Sequence, residues 1–457
     1  MGGFKVSLKR KEVVATVLPL QEQYLQLSNL DLLLPPLDVG VFFCYQKPRK
    51  QENLTFTSMV RILKKALSEA LVSYYPLSGE IVINSVGEPM LLCNNRGVDF
   101  IEACADVDLQ DVQFYNPDSS LANIVPERKE GVLCVQATEL RCGAILVACT
   151  FDHRVVDAHS ANMFLVAWAE LVQSRPISII PSFTRSLLNP RSPTCYDPSF
   201  DDMYVAVPRS MLPPPTVPKP GADHLISRIY YVRAQDIDYL QSLSNSNNYK
   251  KRSKIESFSA FLWKIIAKTS SDDAERCKMG IVVDGRRRLS NGVEDTTCSM
   301  VNYFGNVLSI PFGKKAVGDL KTKPLDWVAN VVHDYLKDAV TKEHFLGLID
   351  WVEEHRPEAA LATIYCSKRE DGPAFVVSSG QGFPVSKVDF GWGRPVFGSY
   401  HFPWNGEAGY VMPMPSSSGN GDWIVYMHLL KGQLEFLEVE ASDVFRPLTS
   451  DYLGLSV

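Results

Sequence analysis

The 457-residue sequence lacks several features that define common functional classes. None of its ten cysteines forms a CxxC pair, which removes the usual signature of a zinc site or a thioredoxin-like redox site. Basic residues are not in excess, because the formal net charge is −6, and broad nucleic-acid binding needs a dominant basic surface. A local basic pocket for one phosphorylated ligand is still compatible with this charge.

Long apolar runs are also missing. The longest, residues 143–151, is about half of what a membrane-spanning helix needs. The opening stretch MGGFKVSLKRKEVV carries charges where a signal peptide needs apolar residues. Several cysteines, such as Cys149, lie in apolar runs, as buried free thiols of a reducing compartment do. We therefore expect a cytosolic protein without disulfides.

Sequence motifs for hydrolysis and nucleotide binding are absent as well. The nucleophile elbow GxSxG and the phosphate loop GxxxxGK[ST] do not occur. Gly391 and Gly393 do not form a dinucleotide fingerprint, since Val396 occupies the place of its third glycine. Serine-hydrolase and nucleoside-triphosphatase functions therefore lose their main support.

What the sequence does contain is an alternation of strand and helix patterns. A chain of this length exceeds what one hydrophobic core usually supports, so we expect two domains. Apolar spacing predicts a strand at 4–14, a helix at 58–73, a strand at 145–151, a helix capped by Ser160, a strand at 226–232, a helix capped by Ser257, strands at 279–283, 374–378 and 423–429, and a helix at 325–340.

The composition changes between Leu187 and Ala222, where Pro, Ser and Asp accumulate. Such a stretch is expected to form neither regular helix nor central strand, so we interpret it as a semi-rigid crossover. The prediction is an α/β protein with an N-terminal domain at 1–186, a crossover loop at 187–222 and a C-terminal domain at 223–457.

The first segment with chemical character is His153-Arg-Val-Val-Asp157, in the connection between a buried strand and a helix. Ligand sites of open α/β proteins favour such strand ends, and imidazole suits proton transfer near neutral pH. Asp157 is close enough to orient the ring or to fix the local backbone. Because three free positions make HxxxD common by chance, a structural histidine remains the alternative.

A metal site at the same segment is disfavoured. His153, Asp157 and His159 offer ligands that zinc accepts. On a helix, however, the two histidines lie about 240° apart, near opposite faces. No further His, Cys or Glu cluster completes a coordination sphere, so we predict no metal.

The second segment is Asp389-Phe-Gly391-Trp392-Gly393. Two glycines around a tryptophan indicate backbone in unusual conformations with a large ring at a tight bend. Taken alone, a packing corner explains the segment equally well.

Together, HxxxD in mid-chain and DFGWG near the C-terminus resemble the paired signature of the BAHD acyltransferases. The resemblance extends over the whole chain. Within the family it is strongest toward coniferyl-alcohol acyltransferases and hydroxycinnamoyl transferases. The other matching segments are EVVATVLP (12–19), NLDLLLPPLDVGVFFCY (29–45), YYPLSG (74–79), VDGRRRL (283–289), NYFGN (302–306) and FGSYHFPW (397–404).

The resemblance implies two similar domains of mixed sheet with flanking helices, like chloramphenicol acetyltransferase, and a channel between them. His153 matches the general base that deprotonates an acceptor as it attacks an acyl-CoA thioester. Acyl-CoA is then a co-substrate, and no bound cofactor is implied. The indole N–H of Trp392 is a candidate donor to the oxyanion.

The roles of the two aspartates differ between the two lines of argument. From the residues alone, Asp157 can orient His153 as a triad carboxylate does. The resemblance implies instead a structural salt bridge between Asp157 and Arg286. Asp389, with Gly391 and Gly393, is expected to be architectural.

For the phosphates of CoA, a basic run precedes the helix near Ser257. Helix N-termini and adjacent cations suit phosphates, which makes Lys254 and Ser257 candidates for CoA binding. A solvated basic loop is the alternative. The run consists of Lys250, Lys251, Arg252 and Lys254.

The acceptor side departs from the family pattern. Hydroxycinnamoyl transferases that use shikimate carry an arginine seven residues before the DFGWG aspartate and usually a tryptophan two residues earlier. This sequence has Gly382 and Gly380 at these positions, so an acidic acceptor lacks its charged anchor. Ser378 and His401 are further candidates for the acceptor pocket.

We therefore expect transfer of an aromatic or acetyl group to a neutral alcohol, such as a phenylpropanoid alcohol. Small molecules are the expected partners, without nucleic acid or membrane, and family habit favours a monomer. The alternatives are an N-acyltransferase acting on a piperidine- or polyamine-type amine, a low-turnover acyl-CoA-binding homologue and, last, a metal-dependent hydrolase.

Overall fold

The computed structural model describes residues 4–48, 54–209, 212, 224–245, 251–290, 300–366, 371–404 and 406–455. Its strands are β1 (Val6–Val14), β2 (Gln23–Gln26), β3 (Asp38–Tyr45), β4 (Glu80–Ile83), β5 (Pro89–Cys93), β6 (Val98–Ala105), β7 (Leu133–Leu140), β8 (Ile145–Asp152), β9 (Tyr204–Val207), β10 (Leu225–Val232), β11 (Arg276–Asp284), β12 (Leu308–Ser309), β13 (Phe312–Ala316), β14 (Ala359–Ala362), β15 (Ala374–Ser378), β16 (Phe397–His401), β17 (Gly409–Pro415), β18 (Trp423–Leu430) and β19 (Arg446–Pro447).

The helices alternate with these strands in both halves of the chain. They are α1 (Phe56–Ser73), α2 (Pro117–Ser120), α3 (Ala158–Val172), α4 (Phe200–Met203), α5 (Ala234–Ser244), α6 (Lys254–Ala267), α7 (Arg286–Leu289), α8 (Val317–Thr322), α9 (Leu325–Ala339), α10 (Lys342–His355) and α11 (Lys431–Glu440). None of the helices in the described ranges is both long enough and apolar enough to cross a membrane.

Two large mixed sheets organise the fold. The first has the strand order β1-β6-β7-β8-β3-β16, and the second has the order β12-β11-β15-β17-β18-β10-β19, with β13 also paired to β11. Pairing is antiparallel except between β6 and β7 in the first sheet and along β11, β15 and β17 in the second. The α/β fold with two sheet-containing domains is therefore confirmed.

The apolar spacing of the sequence explains which faces are buried. Every residue of β8 is buried, as expected for a strand in the middle of a sheet that is covered on both faces. Leu63, Leu67 and Leu71 recur at helical spacing on α1 and belong to the same core as β8. A separate core joins α6 and α9 to the second sheet.

Two predicted helix caps are wrong by one turn. Asp157, rather than Ser160, caps α3, because its carboxylate accepts a hydrogen bond from the Ser160 amide at 2.9 Å. Ser253, rather than Ser257, caps α6 in a reciprocal arrangement with Glu256. In both cases the true cap precedes the predicted one and satisfies an amide of the first turn.

The expectation of neither regular helix nor central strand between Leu187 and Ala222 is wrong for residues 200–203, which form helix α4. Strand β9 follows and pairs with β14 in a separate two-stranded sheet, so it is not a central strand. The prolines of this segment at positions 213–215, 218 and 220 lie outside the described residues.

Strand β16 comes from the second half of the chain but lies in the first sheet. It pairs with β3 antiparallel, with His401 opposite Gly40. The chain after β16 therefore crosses from one sheet to the other, next to the end of β8.

Candidate active site

A large cavity opens where the two halves of the chain meet. Its volume is about 1340 Å³, and its lining is mainly apolar. Both sheets and helix α3 contribute to its walls. The lining includes residues of β3 (Val39), the end of β8 (His153), α3 (Asn162 and Val166), β11 (Val282), β15 (Ser378), β16 (Tyr400) and β17 (Tyr410).

His153 lies in this cavity because its backbone is held from two sides. Its amide donates to the carbonyl of Leu37 at 2.9 Å, and its own carbonyl accepts from Nδ2 of Asn306 at 2.9 Å. The chain turns directly after Asp152, since the amides of Val155 and Val156 bond back to the Asp152 carbonyl. The strand end thus delivers the imidazole to the cavity, with the ring of Phe402 6.4 Å away.

The imidazole is held in its neutral form. Burial lowers the pKa of His153 below its usual 6.5, and this effect outweighs the opposing influence of Asp157, Asp152 and Asn306. A neutral ring is what a general base needs near pH 7. Nδ1 of His153 and Oδ1 of Asn306 are both buried and have no hydrogen-bond partner among the described residues, and the side chain of Asn306 is one of the influences that raise the pKa of His153.

Asp157 is committed to partners other than His153. Nη1 and Nη2 of Arg286 lie 2.8 and 3.1 Å from its two carboxylate oxygens, and the Ser160 amide donates to one of them. Burial raises the pKa of Asp157, but Arg286, His159 and the Ser160 amide together outweigh burial and lower that pKa. The carboxylate therefore stays ionised and holds α3 to the second half of the chain.

Arg286 connects Asp157 to the NYFGN segment. Its guanidinium also donates to the carbonyl of Gly305 at 2.7 Å and to that of Tyr303 at 3.2 Å. A buried charge is tolerated because its donors are satisfied in this way. The pair and the segment form one structural unit behind His153.

Two further residues of this unit were not assigned a role from the sequence. The fully buried carboxylate of Asp31 accepts from the backbone amide of Asn306 at 2.7 Å and from its side-chain Nδ2 at 2.9 Å. Asn306 in turn holds His153. Both residues lie in segments that carry the family resemblance. An aspartate among leucines was the local signal for Asp31.

The DFGWG segment forms a tight bend at one end of the cavity. One carboxylate oxygen of Asp389 accepts from the amides of Gly391 and Gly393 at 2.8 and 3.0 Å. The two glycines have φ of +89° and +115°, a conformation that side chains disfavour. Asp389 thus organises the bend, and it also lines the cavity.

Trp392 does not line the cavity in which His153 lies. Its ring packs against Tyr45 and Phe390, with centroid distances of 6.1 and 5.7 Å, and it is not among the described residues that line the cavity. An oxyanion donor has to lie within hydrogen-bond distance of the reacting carbonyl. The structure therefore gives no support to the predicted oxyanion role of Trp392, which stays a prediction.

The predicted acceptor pocket is only partly assembled. Ser378, Gly380 and Gly382 line the cavity, but His401 does not. Tyr400 and Phe402 on either side of His401 face the cavity, and side chains alternate along a strand, so His401 faces the opposite way.

The two glycines of this pocket also differ from each other. A Cβ on Gly380 would lie 2.6 Å from Cγ of Met414, so this residue is packed against β17 and leaves no room for a substrate. A Cβ on Gly382 would meet only Nδ2 of Asn162, at 3.8 Å. The expectation of added room is therefore wrong for Gly380 and holds geometrically for Gly382.

The structure does not bring the predicted CoA residues to the cavity. Lys254 pairs with Asp238 at 2.6 Å on the surface, and Ser257 is buried, with its hydroxyl donating to the Ser253 carbonyl. Lys250 lies outside the described residues. Among the described residues, no group of three or more His, Cys, Asp or Glu side chains is arranged to hold a metal ion.

Comparison with known proteins agrees with this architecture. The family model described as the transferase family matches residues 4–444. The chain is 27% identical to the shikimate O-hydroxycinnamoyltransferase of Nicotiana tabacum over 91% of this chain and 95% of the relative. It is also 27% identical to anthranilate N-benzoyltransferase protein 1 of Dianthus caryophyllus over 94% and 97%.

Solved structures share the fold at low sequence identity. TRI101 of F. graminearum, in a crystal structure with coenzyme A and deoxynivalenol, superposes with a TM-score of 0.73 at 14% identity. That match covers 93% of this chain and 99% of TRI101. The chain belongs to the transferase family of BAHD proteins, and it is an acyltransferase.

Proposed function

We propose that this acyltransferase moves an aromatic or acetyl group from acyl-CoA to a neutral alcohol, with His153 as the general base. The observation that carries the proposal is the neutral, backbone-anchored imidazole of His153 in a large and mainly apolar cavity. Hydroxycinnamoyl-type and acetyl donors fit the family, and a phenylpropanoid alcohol fits the apolar lining.

In this mechanism the acceptor hydroxyl attacks the thioester carbonyl carbon while His153 takes its proton. Nδ1 of His153 is buried beside Asn306, which leaves Nε2 for the acceptor. When the tetrahedral intermediate collapses, the carbon–sulfur bond breaks. The imidazolium then protonates the leaving thiolate, so the products are an ester and free CoA. Asp157 takes no part in proton transfer, because its oxygens are bound by Arg286 and Ser160.

The neutral acceptor follows from the open position at Gly382. No cation stands at this position, and Asn162 beside it is neutral and bonded to Tyr400 at 2.9 Å. An acidic acceptor would therefore enter without a charged partner at this point of the cavity.

Amide formation is the second candidate function. The N-acyltransferase among the relatives is as similar to this chain as the O-acyltransferase, at 27% identity each. Glu170 and Asp389 also line the cavity and would attract a cationic amine. Each of them, however, already accepts hydrogen bonds from backbone amides, which favours an architectural role.

The test is a thiol-release assay with product identification by mass spectrometry. It crosses acetyl-, benzoyl- and p-coumaroyl-CoA with coniferyl alcohol, a long-chain alcohol, shikimate, piperidine and spermidine, with His153→Ala as the control. We expect an ester of a neutral alcohol and a loss of about 10²- to 10⁴-fold in the variant. An amide product would replace the first proposal by the second. If the unaltered enzyme turns over every donor–acceptor pair no faster than the His153→Ala variant does, a low-turnover acyl-CoA-binding homologue is favoured.

The cellular setting remains a prediction. We propose that the protein acts in the cytosol as a monomer, without nucleic-acid or membrane partners. Light scattering of the purified protein tests the oligomeric state, and microscopy of a fluorescent fusion tests the compartment.

A further inference from the structure

One arm of the cavity runs along α3, from the catalytic histidine to a charged rim. His159, Asn162, Val166, Glu170 and Gln173 all line the cavity, at the spacing of a single helix face. From Asn162 to Gln173 this face is roughly 16 Å long at 1.5 Å per residue. An extended substrate with its reacting group at His153 therefore reaches the rim with its other end.

The rim concentrates positive charge. Four Lys and Arg side chains among the described residues line the cavity. Arg175 follows the last turn of α3, and Lys387 and Arg394 lie on either side of Asp389, whose carbonyl accepts from Nε2 of Gln173. Arg287 lies at the other end, next to Arg286, which pairs with the α3 cap Asp157. The three rim side chains are exposed, and no carboxylate in the described part of the chain pairs with any of them. They come from two separate segments, which meet only in the folded protein.

Neighbouring acids do not cancel this charge by direct pairing. Oε2 of Glu170 accepts from the Ser178 amide at 2.9 Å, and Oδ1 of Asp389 accepts from the amides of its own bend. The C-terminal end of α3 carries partial negative charge, which Arg175 alone offsets. Lys387 and Arg394 are not explained by the helix end, because they follow Pro384 and Gly393 in the other segment.

We propose that Arg175, Lys387 and Arg394 form an anion-binding subsite for an oxyanion group of a substrate. The inference rests on the proposed function, since it assumes substrates that extend from His153. Two sources offer this chemistry: the phosphates of CoA, which the proposed function already requires, and a carboxylate at the far end of an acceptor, which would replace the proposed neutral alcohol. Exposed cations with no partner can bind either one without breaking an existing ion pair.

Calorimetric titration of the full chain tests the subsite without relying on turnover. The variant combines Arg175→Ala, Lys387→Ala and Arg394→Ala. The matched control removes the same charge from surface positions away from the cavity, with Arg61→Ala, Lys129→Ala and Lys337→Ala. The probes are CoA, pantetheine, which lacks the phosphates, and shikimate, which carries a carboxylate.

If CoA supplies the anion, the rim variant binds CoA about tenfold more weakly than the control, as expected for a few exposed ion pairs. Pantetheine binding is then unchanged, and the difference between variant and control shrinks at high salt. If an acceptor supplies the anion, the loss appears for shikimate instead. Binding of both CoA and shikimate within twofold of the control overturns the subsite. Failure of the proposed function would be seen separately, as an absence of product from the unaltered enzyme.

Discussion

Arg286 and Asp157 form a bidentate salt bridge that fastens the two halves of the chain directly behind His153. Asp157 caps α3 in the first half, whereas Arg286 follows β11 in the second. The side chains are almost completely buried, with 2% of Arg286 and none of Asp157 exposed. The HxxxD aspartate is therefore engaged in holding the site together, which leaves His153 as the proposed base.

Breaking this pair is expected to destabilise the protein. Asp157→Asn leaves the buried charge of Arg286 with only the partly exposed carboxylate of Asp284, 3.1 Å away, and removing one partner of a buried pair costs about 3–5 kcal/mol. Urea unfolding of Asp157→Asn, Arg286→Met and the double variant measures the coupling. We expect the double variant to lose less stability than the sum of the two singles, because no unpaired charge remains. Glu139→Gln, at the exposed pair with Lys9, is the control and should cost under about 1 kcal/mol.

If the stability lost by the double variant equals the sum of the losses of the two single variants, the structural role of the pair is contradicted. Unchanged stability with a large fall in kcat would point instead to Asp157 as a triad carboxylate.

We expect Asn306 to influence both the pKa and the position of His153. It anchors the His153 backbone, and its side chain raises the pKa of the imidazole. In Asn306→Ala that pKa falls further, so the acidic limb of kcat/KM moves to lower pH, while looser positioning lowers kcat. In Asn306→Asp a negative charge raises the pKa, and the limb moves to higher pH. The pH profiles of the three proteins measure this directly, and identical limbs would rule out the assignment.

Acid should weaken the fold through His401, which is buried, and His344, which is partly buried. Burial lowers the pKa of His344 and of His401 from 6.5 to about 4. The unfolded chain therefore takes up protons first as the pH falls below 6.5, and the free energy of unfolding decreases between pH 6.5 and about 4. Above pH 6.5 this contribution is fully present. Urea unfolding across that range measures the slope.

The variant His344→Gln should flatten part of this slope, because it removes the titration of His344. His344 lies beside the Ser309 hydroxyl, with 2.7 Å between Nε2 and Oγ, and glutamine can keep that hydrogen bond. A slope equal to that of the unaltered protein would contradict the role of His344.

Acceptor choice should respond to a cation at position 382. In Gly382→Arg the new side chain points toward Asn162 and does not clash with the backbone, since the atom nearest to its Cβ is Nδ2 of Asn162, 3.8 Å away. We expect KM for shikimate to fall by about tenfold. Turnover of a neutral alcohol should not suffer from the charge itself. Steady-state kinetics with both acceptors measures this.

The matched control is Gly382→Met, which adds bulk without charge and should not improve shikimate use. A preference of the unaltered enzyme for shikimate would refute the argument from Gly382.

Local structure was well determined by apolar spacing. The strand predicted at 374–378 is β15, and the helix predicted at 58–73 is α1, which begins two residues earlier. Both predictions succeeded because strand and helix periods are properties of short segments. Helix caps were less predictable, since Ser253 and Ser257 are equally good capping residues and only the backbone conformation selects one.

Side-chain direction was the main limit at the site. The sequence places His401 between Tyr400 and Phe402, but it does not say which of the alternating faces meets the cavity. In the same way, the glycines around Trp392 predicted a tight bend without showing that its ring packs on Tyr45.

The class of fold and the family were readable from the amino-acid sequence, which also singled out His153 as the candidate base, because HxxxD, DFGWG and the strand–helix alternation are local patterns. Only the tertiary structure decided which groups surround that base. Asp31 and Asn306 are 275 positions apart and meet behind His153, and the rim cations come from two distant segments. Such contacts depend on how sheets and helices pack against each other, and no spacing along the chain encodes that geometry.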